Sequence, residues 1–184
     1  MARVPVVGSL RALSPDGKVL LYAADRKLYS IRLDGPFAAP AVVLGEHCTH
    51  AGFSPDGKWL VYSTLVPTVD RAEVFVKPLA FEGLSKQISV DGGSAPVWRG
   101  DGREILYVNG SKIYGVRVRP DGTQISASAP ELLFEVRPPA GLTGDSVPLA
   151  VTHDGSRILF TQASEGADSK MTYIMSAWER ALTP

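Results

Sequence analysis

Four times along the chain a tight turn ending in Asp-Gly is followed, five residues after the glycine, by an aromatic side chain. The turns are Ser14-Pro15-Asp16-Gly17, Ser54-Pro55-Asp56-Gly57, Arg99-Gly100-Asp101-Gly102 and Thr152-His153-Asp154-Gly155, and the aromatics are Tyr22, Tyr62, Tyr107 and Phe160. Successive glycines stand 40, 45 and 53 residues apart. Other Asp-Gly pairs begin at Asp34, Asp91 and Asp121, so the dipeptide alone decides little. What carries the signal is the register around it. Three and four places after each glycine come Leu20-Leu21, Leu60-Val61, Ile105-Leu106 and Ile158-Leu159, and each turn is preceded by Leu13, Phe53, Trp98 or Val151. Proline at the second turn position presets φ, aspartate bonds the nearby backbone, and glycine accepts an exit geometry that a side chain resists. The pattern predicts one hairpin written four times.

A third strand with its own aromatic follows each hairpin, around Tyr29, Phe75, Tyr114 and Tyr173, after a polar break. Fainter outer strands fit 41–44, 85–90 and 131–136. Each unit is then a four-stranded antiparallel sheet of the size that radial repetition uses. The expected fold is all-β: a β-propeller forming one domain over 1–184, with blades about 9–44, 50–90, 95–136 and 146–177. The fourth unit lacks an obvious outer strand, and Arg3-Val4-Pro5-Val6-Val7 precedes the first with nothing to pair with. Residues 3–7 are therefore expected to complete the last blade and remove two sheet edges. Four blades lie at the bottom of the range of about 4–8, so the alternatives are a closed four-blade ring, part of a larger ring, or two chains pairing as a homodimer.

Composition narrows the functional classes. Nineteen Lys and Arg balance nineteen Asp and Glu, which leaves no net field to gather nucleic acid or anionic lipid. The first ten residues hold Arg3, Pro5 and Gly8 and read neither as a signal peptide nor as a membrane span, and no membrane insertion is expected. The lone Cys48 leaves the compartment undecided. Eighteen glycines and fourteen prolines, spread along the chain, argue against long helices.

The Ser-Pro-Asp-Gly-Lys turn followed by two aliphatics and an aromatic resembles the repeat of TolB-type propellers, which are related to WD repeats. The stretch from Gln87 to Trp98, with Glu104-Ile105-Leu106-Tyr107, Pro130 to Glu135 and Ala177-Trp178-Glu179-Arg180, is similar to the propellers that follow some bacterial serine/threonine kinase domains. That resemblance implies a sensing or interaction region outside the membrane. It would make this chain extracytoplasmic if it is a fragment of such a parent. The third and fourth turns depart from the motif by lacking its proline. No kinase element is present: there is no glycine-rich loop with a lysine strand, no His-Arg-Asp and no Asp-Phe-Gly.

Catalytic groups are not evident, and neither a cofactor nor a resident metal is expected. Asp16, Asp56, Asp101 and Asp154 follow the turns and read as structural. Tyr22, Tyr62, Tyr107 and Phe160 read as packing between blades. Glu46-His47-Cys48-Thr49-His50 is the densest set of ligand-type side chains. It lies where an outer strand joins the next innermost strand, at the channel mouth. The equivalent loops 91–95 and 138–147, with 65–71 and 163–169, should gather on the same face, and scaffold-held loops commonly carry function. The candidate binding residues are His47, His50, Asp70, Arg71, Asp91 and Trp98. The expected function is a noncatalytic module that binds a protein or peptide. The alternative is a metal-assisted polysaccharide lyase or hydrolase using the histidines at the channel mouth.

Overall fold

The computed structural model describes residues 8–35, 40–44, 47–79, 84–137, 149–163 and 170–176, with side chains of 161–163 and 170–176 left aside. Among them every regular element is a β-strand. The first sheet runs β1 (Ser9–Leu13), β2 (Val19–Ala24), β3 (Lys27–Arg32) and β4 (Ala41–Leu44) in simple up-and-down order. The second repeats it with β5 (Cys48–Phe53), β6 (Trp59–Val66), β7 (Arg71–Pro78) and β8 (Lys86–Gln87). The third contains β9 (Ser94–Trp98), β10 (Glu104–Asn109), β11 (Lys112–Asp121), β12 (Gln124–Ala127) and β13 (Glu131–Glu135). The fourth contains β14 (Leu149–Val151), β15 (Arg157–Ala163) and β16 (Lys170–Ser176). All neighbouring strands are antiparallel. The expected closing strand 3–7 lies outside the described residues.

The turn glycines explain the hairpins. Gly17, Gly57, Gly102 and Gly155 all take left-handed φ, between 68° and 72°, where a Cβ is costly. Each donates its N–H to the carbonyl three residues earlier, at 2.8–2.9 Å. The aspartate before each glycine accepts the amide two residues on: Lys18 at 3.1 Å, Lys58 at 3.1 Å, Arg103 at 2.9 Å and Ser156 at 3.0 Å. In three turns the first residue's hydroxyl also donates to that carboxylate, from Ser14, Ser54 and Thr152. Arg99 takes this place in the third turn, with its guanidinium 3.6 Å from both Asp101 and Glu104.

Each hairpin pairs its aromatic with the aromatic of the third strand. Tyr22 faces Tyr29, Tyr62 faces Phe75 and Tyr107 faces Tyr114, and Phe160 is paired with Tyr173 in the backbone register. The first three pairs stack with centroids 5.4–5.6 Å apart, within the favourable range for offset rings. Every blade consequently has an aromatic face and, on the alternate residues, an aliphatic face. The aliphatic face of blade 1 (Leu21, Leu28) packs on the aromatic face of blade 2 (Leu60, Tyr62, Phe75). Val61, Val74 and Val76 of blade 2 pack likewise on Ile105, Tyr107 and Tyr114 of blade 3. Leu106, Val108 and Ile113 of blade 3 pack on Ile158 and Phe160 of blade 4.

Two features depart from the expected strands. Val66 pairs with Arg71, so the second hairpin extends through residues expected in a loop and turns only at 67–70. The Asp121-Gly122 pair is itself a hairpin turn, with Gly122 at φ 58°, and lets the ten-residue β11 fold back on β12 beyond the outer strand β13.

Successive turns also touch. Pro15 lies 3.6 Å from where a Cβ on Gly57 would sit, Pro55 lies 3.8 Å from the same point on Gly102, and the Arg99 side chain covers Gly155. Gly100 stands where the first two turns carry proline, and any Cβ there would collide with the His153 carbonyl oxygen. Restoring the repeat motif with Gly100→Pro should therefore destabilise the fold, by about 1–3 kcal/mol as overpacking does. Urea unfolding monitored by tryptophan fluorescence checks this, with a lowered midpoint expected.

Candidate functional site

The four innermost strands and their turns enclose an open groove of about 780 Å³. Its wall is built from the first strand of every blade: Leu10 to Leu13 of β1, His50 to Phe53 of β5, Ala95 to Trp98 of β9, and Leu149 and Val151 of β14. These strands are short, and three of them carry an irregularity in their pairing, between Leu10 and Ala12, between Cys48 and His50, and opposite Leu106–Val108. Bulges re-aim side chains toward one side. The wall is mostly apolar, with Arg11, His50 and His153 as its long polar side chains. The Arg11 Nε is buried without a hydrogen-bond partner among the described residues.

His50 is anchored inside this wall. Its Nδ1 lies 3.4 Å from both the Thr49 and Ser63 hydroxyls, which are 2.9 Å from each other. His47 has a left-handed φ of 69° at the entry to β5, and its carbonyl accepts the Leu65 amide at 3.3 Å. Cys48 points into the core, where its thiol donates to the His50 carbonyl at 3.5 Å. Burial pushes that thiol up to about 11, against the opposing pull of the Arg11 cation. A protonated, covered thiol is neither a nucleophile nor a ready metal ligand. Glu46 lies outside the described residues, and among those described no three His, Cys, Asp or Glu side chains converge as a metal group.

Arg71 and Asp91 do come together, at the junction of blades 2 and 3. Arg71 donates to Glu73 at 2.7 Å and to Asp91 at 3.4 Å. Glu73 is only 2% exposed, Asp91 is open to solvent, and the Ser89 hydroxyl donates to the other Glu73 oxygen. Arg71 thus ties a buried carboxylate to a surface one. The Asn109 amide donates to the Asp91 carbonyl at 3.1 Å and fixes the loop. Asp70 sits beside them at the hairpin tip, exposed and with φ 49°. Glu73, Ser89 and Asn109 were not signalled by the sequence, because the Glu73–Ser89 and Asn109–Asp91 contacts join segments 16 and 18 residues apart; Arg11 was hidden in an ordinary strand pattern.

Trp98 does not belong with these loop residues. It is 6% exposed and packs with Trp59, Ile105 and Tyr107 between blades 2 and 3, at the turn end of the groove. Its place immediately before the turn, where blades 1 and 2 carry Leu13 and Phe53, explains the position. The loops expected at 138–147 and 163–169 lie outside the described residues, Ala163 at the end of β15 excepted.

No family model matches the chain, and no curated protein does. Solved structures do match. TolB from Acinetobacter baumannii superposes with a TM-score of 0.66 at 16% identity, covering 98% of this chain and 43% of its own. Hydrazine synthase of Kuenenia stuttgartiensis gives 0.61 at 15% identity over 95% and 47%. The tricorn protease gives 0.61 at 8% identity over 94% and 16%. At these identities the likeness concerns the fold, which is that of a TolB-like β-propeller. The chain spans less than half the length of each of these structures.

Two outcomes follow from the local chemistry. A thiol reagent such as Ellman's should leave folded Cys48 unmodified at pH 8 and label it on denaturation; rapid labelling of the native protein would contradict its burial. Asp154 is held down to about 2, first by the Thr152 hydroxyl and then by the Ser156 amide and hydroxyl. A carboxylate depressed in the folded state contributes stability above its unfolded value near 3.8, lost as pH falls through the folded value. Asp154→Asn should therefore flatten the acid limb of thermal stability between about pH 4 and pH 2.

Proposed function

We propose that the chain is a noncatalytic interaction or sensing module whose axial groove takes a protein segment or peptide. The observation that carries this reading is the groove itself: largely apolar, walled by all four innermost strands, with an Arg11 Nε that has no hydrogen-bond partner among the described residues and an anchored His50 on its side. An apolar cleft with a few fixed polar groups suits recognition, with burial providing affinity and the polar groups orientation. The ion-paired tips around Arg71 and Asp91 form a second, more polar contact area on the loop side.

The four blades are read as one arc of a larger ring. In support, the turns of blades 2, 3 and 4 each receive a side chain of the preceding turn, whereas a Cβ on Gly17 would meet no described residue within 4 Å. The resemblance of the third blade to propellers following bacterial serine/threonine kinase domains favours a sensing role within a longer protein. The balanced charge favours a protein partner over nucleic acid.

Selection of a random displayed-peptide library on the folded chain tests the reading. Enriched peptides should carry an acceptor, such as a carboxylate, for Arg11 and His50. Arg11→Ala combined with His50→Ala should weaken their binding about tenfold or more, a loss of about 1.4 kcal/mol, without changing the melt. Peptides that bind the double variant equally well, or a selection that enriches none, would remove the groove as the binding site.

A further inference from the structure

Between the marker turns of blades 2 and 3 the chain leaves a cleft of about 220 Å³. Blade 2 lines it with Pro55, Asp56 and Trp59, and blade 3 with Trp98, Asp101 and Arg103. That volume falls below the roughly 300–1,000 Å³ of small-molecule sites and suits the end of a single side chain. Ser54, Pro55 and Trp98 also line the axial groove, so the two spaces adjoin, but neither Arg11 nor His50 reaches the cleft.

The next junction shows what such a space holds. Counted from the turn glycines, Arg99 takes the place of Ser54, and Glu104 that of Trp59. The Arg99 side chain runs across Gly155 of the fourth turn, with its Cγ 3.0 Å and its Cδ 3.3 Å from where a Cβ would sit. Its guanidinium lies 3.6 Å from Asp101 and from Glu104. Between blades 2 and 3 the corresponding glycine is Gly102, which only the Pro55 ring approaches, at 3.8 Å. The Ser54 hydroxyl is engaged with the Asp56 carboxylate and the Trp59 amide and does not cross to the next turn. The space that an arginine fills at one junction is open at the other.

The lining suits the same occupant. Asp56 is exposed, and its hydrogen bonds from Ser54 and Lys58 both fall on Oδ1. Asp101 already has Arg99 at 3.6 Å, which leaves Asp56 as the carboxylate for an incoming cation. Tryptophan attracts cations more strongly than the other aromatics, and a planar guanidinium both stacks on rings and pairs with carboxylates. The Trp98 indole nitrogen is buried and offers the cleft no exposed donor. Arg103 is the one cation in the lining and opposes the others.

We propose that this cleft receives one arginine side chain of a bound protein or peptide, its guanidinium paired with Asp56 and packed against Trp59 and Trp98. The incoming side chain reproduces between blades 2 and 3 the contact that Arg99 makes between blades 3 and 4.

The probe is arginine blocked as N-acetyl-arginine methylamide, titrated to tens of millimolar against the folded chain while the tryptophan indole signals are followed by nuclear magnetic resonance. The signals of Trp59 and Trp98, assigned from single Phe variants, should move and saturate. The citrulline analogue, which has the shape without the charge, should leave them in place, and the lysine analogue should bind more weakly. Asp56→Asn keeps an oxygen for the turn and should weaken binding about tenfold. Arg103→Ala should strengthen binding, an outcome that damage to the fold does not produce. The chain carrying Arg11→Ala and His50→Ala should bind the probe unchanged, which separates this cleft from the axial groove. Indole signals that stay fixed, equal binding of citrulline or lysine, an Asp56→Asn variant that binds as well as the original, or loss of binding in the groove variant would each overturn the proposal.

Discussion

The structure depends on a carboxylate and a glycine placed side by side. At each marker turn the aspartate accepts the amide just beyond the glycine, and the glycine takes a φ that side chains resist. Together they fix where β2, β6, β10 and β15 begin. In a strand a slip of one residue exchanges the two faces, so this local constraint decides which side carries Tyr22, Tyr62, Tyr107 and Phe160 and which carries Leu21, Val61, Leu106 and Leu159. Blade stacking follows from that choice.

Stacking in turn sets the energetics. The junctions bury residues such as Val61, Leu106 and Tyr107 completely, each contributing about 1.5–3 kcal/mol from burial, and no helix is present among the described residues to cover a sheet in another way. Two buried carboxylates at these junctions have partners among the described residues. Glu73 is held by Arg71 and Ser89, and Glu104, whose carboxyl is pushed up by burial and pulled down by Arg99, lies beneath that arginine. Removing one member of such a set leaves a buried charge uncompensated, which costs more than the pair itself provides.

Much of this was legible because it is local. Turn, aromatic and third strand all fall within about twenty residues, and the register argument placed β2, β6, β10 and β15 and their aromatic partners. What escaped was set across the sheet or between blades. Asp121-Gly122 looks like the chance Asp-Gly pairs, and only the length of β11 makes it a hairpin. Arg71 looked like a loop residue because Pro67 and Asp70 punctuate the segment, yet pairing with Val66 takes it into β7. Trp98 was grouped with the loop-face binding residues although its pre-turn position already matched Leu13 and Phe53, and packing against blade 2 is what buries it. Glu73 meets Ser89 of the segment just after β8, a contact that no spacing within either segment announces.

The two departures from the repeat motif are best understood as one joint. Proline is absent from the third turn because His153 of the fourth turn brings its carbonyl against Gly100, and serine is absent because Arg99 instead spans Asp101, Glu104 and the surface of Gly155. Each change removes a feature the other turns use and fits what the neighbouring blade presents. Thr152 keeps the hydroxyl of the serine it replaces and still bonds its aspartate, so the fourth hairpin retains its local closure. Blades 3 and 4 are thereby joined by an arginine and a close backbone contact where the earlier junctions use proline on glycine. A repeat that diverges in matched pairs across one junction is constrained by its neighbour, which is the behaviour expected of stacked repeats and not of four independent sheets.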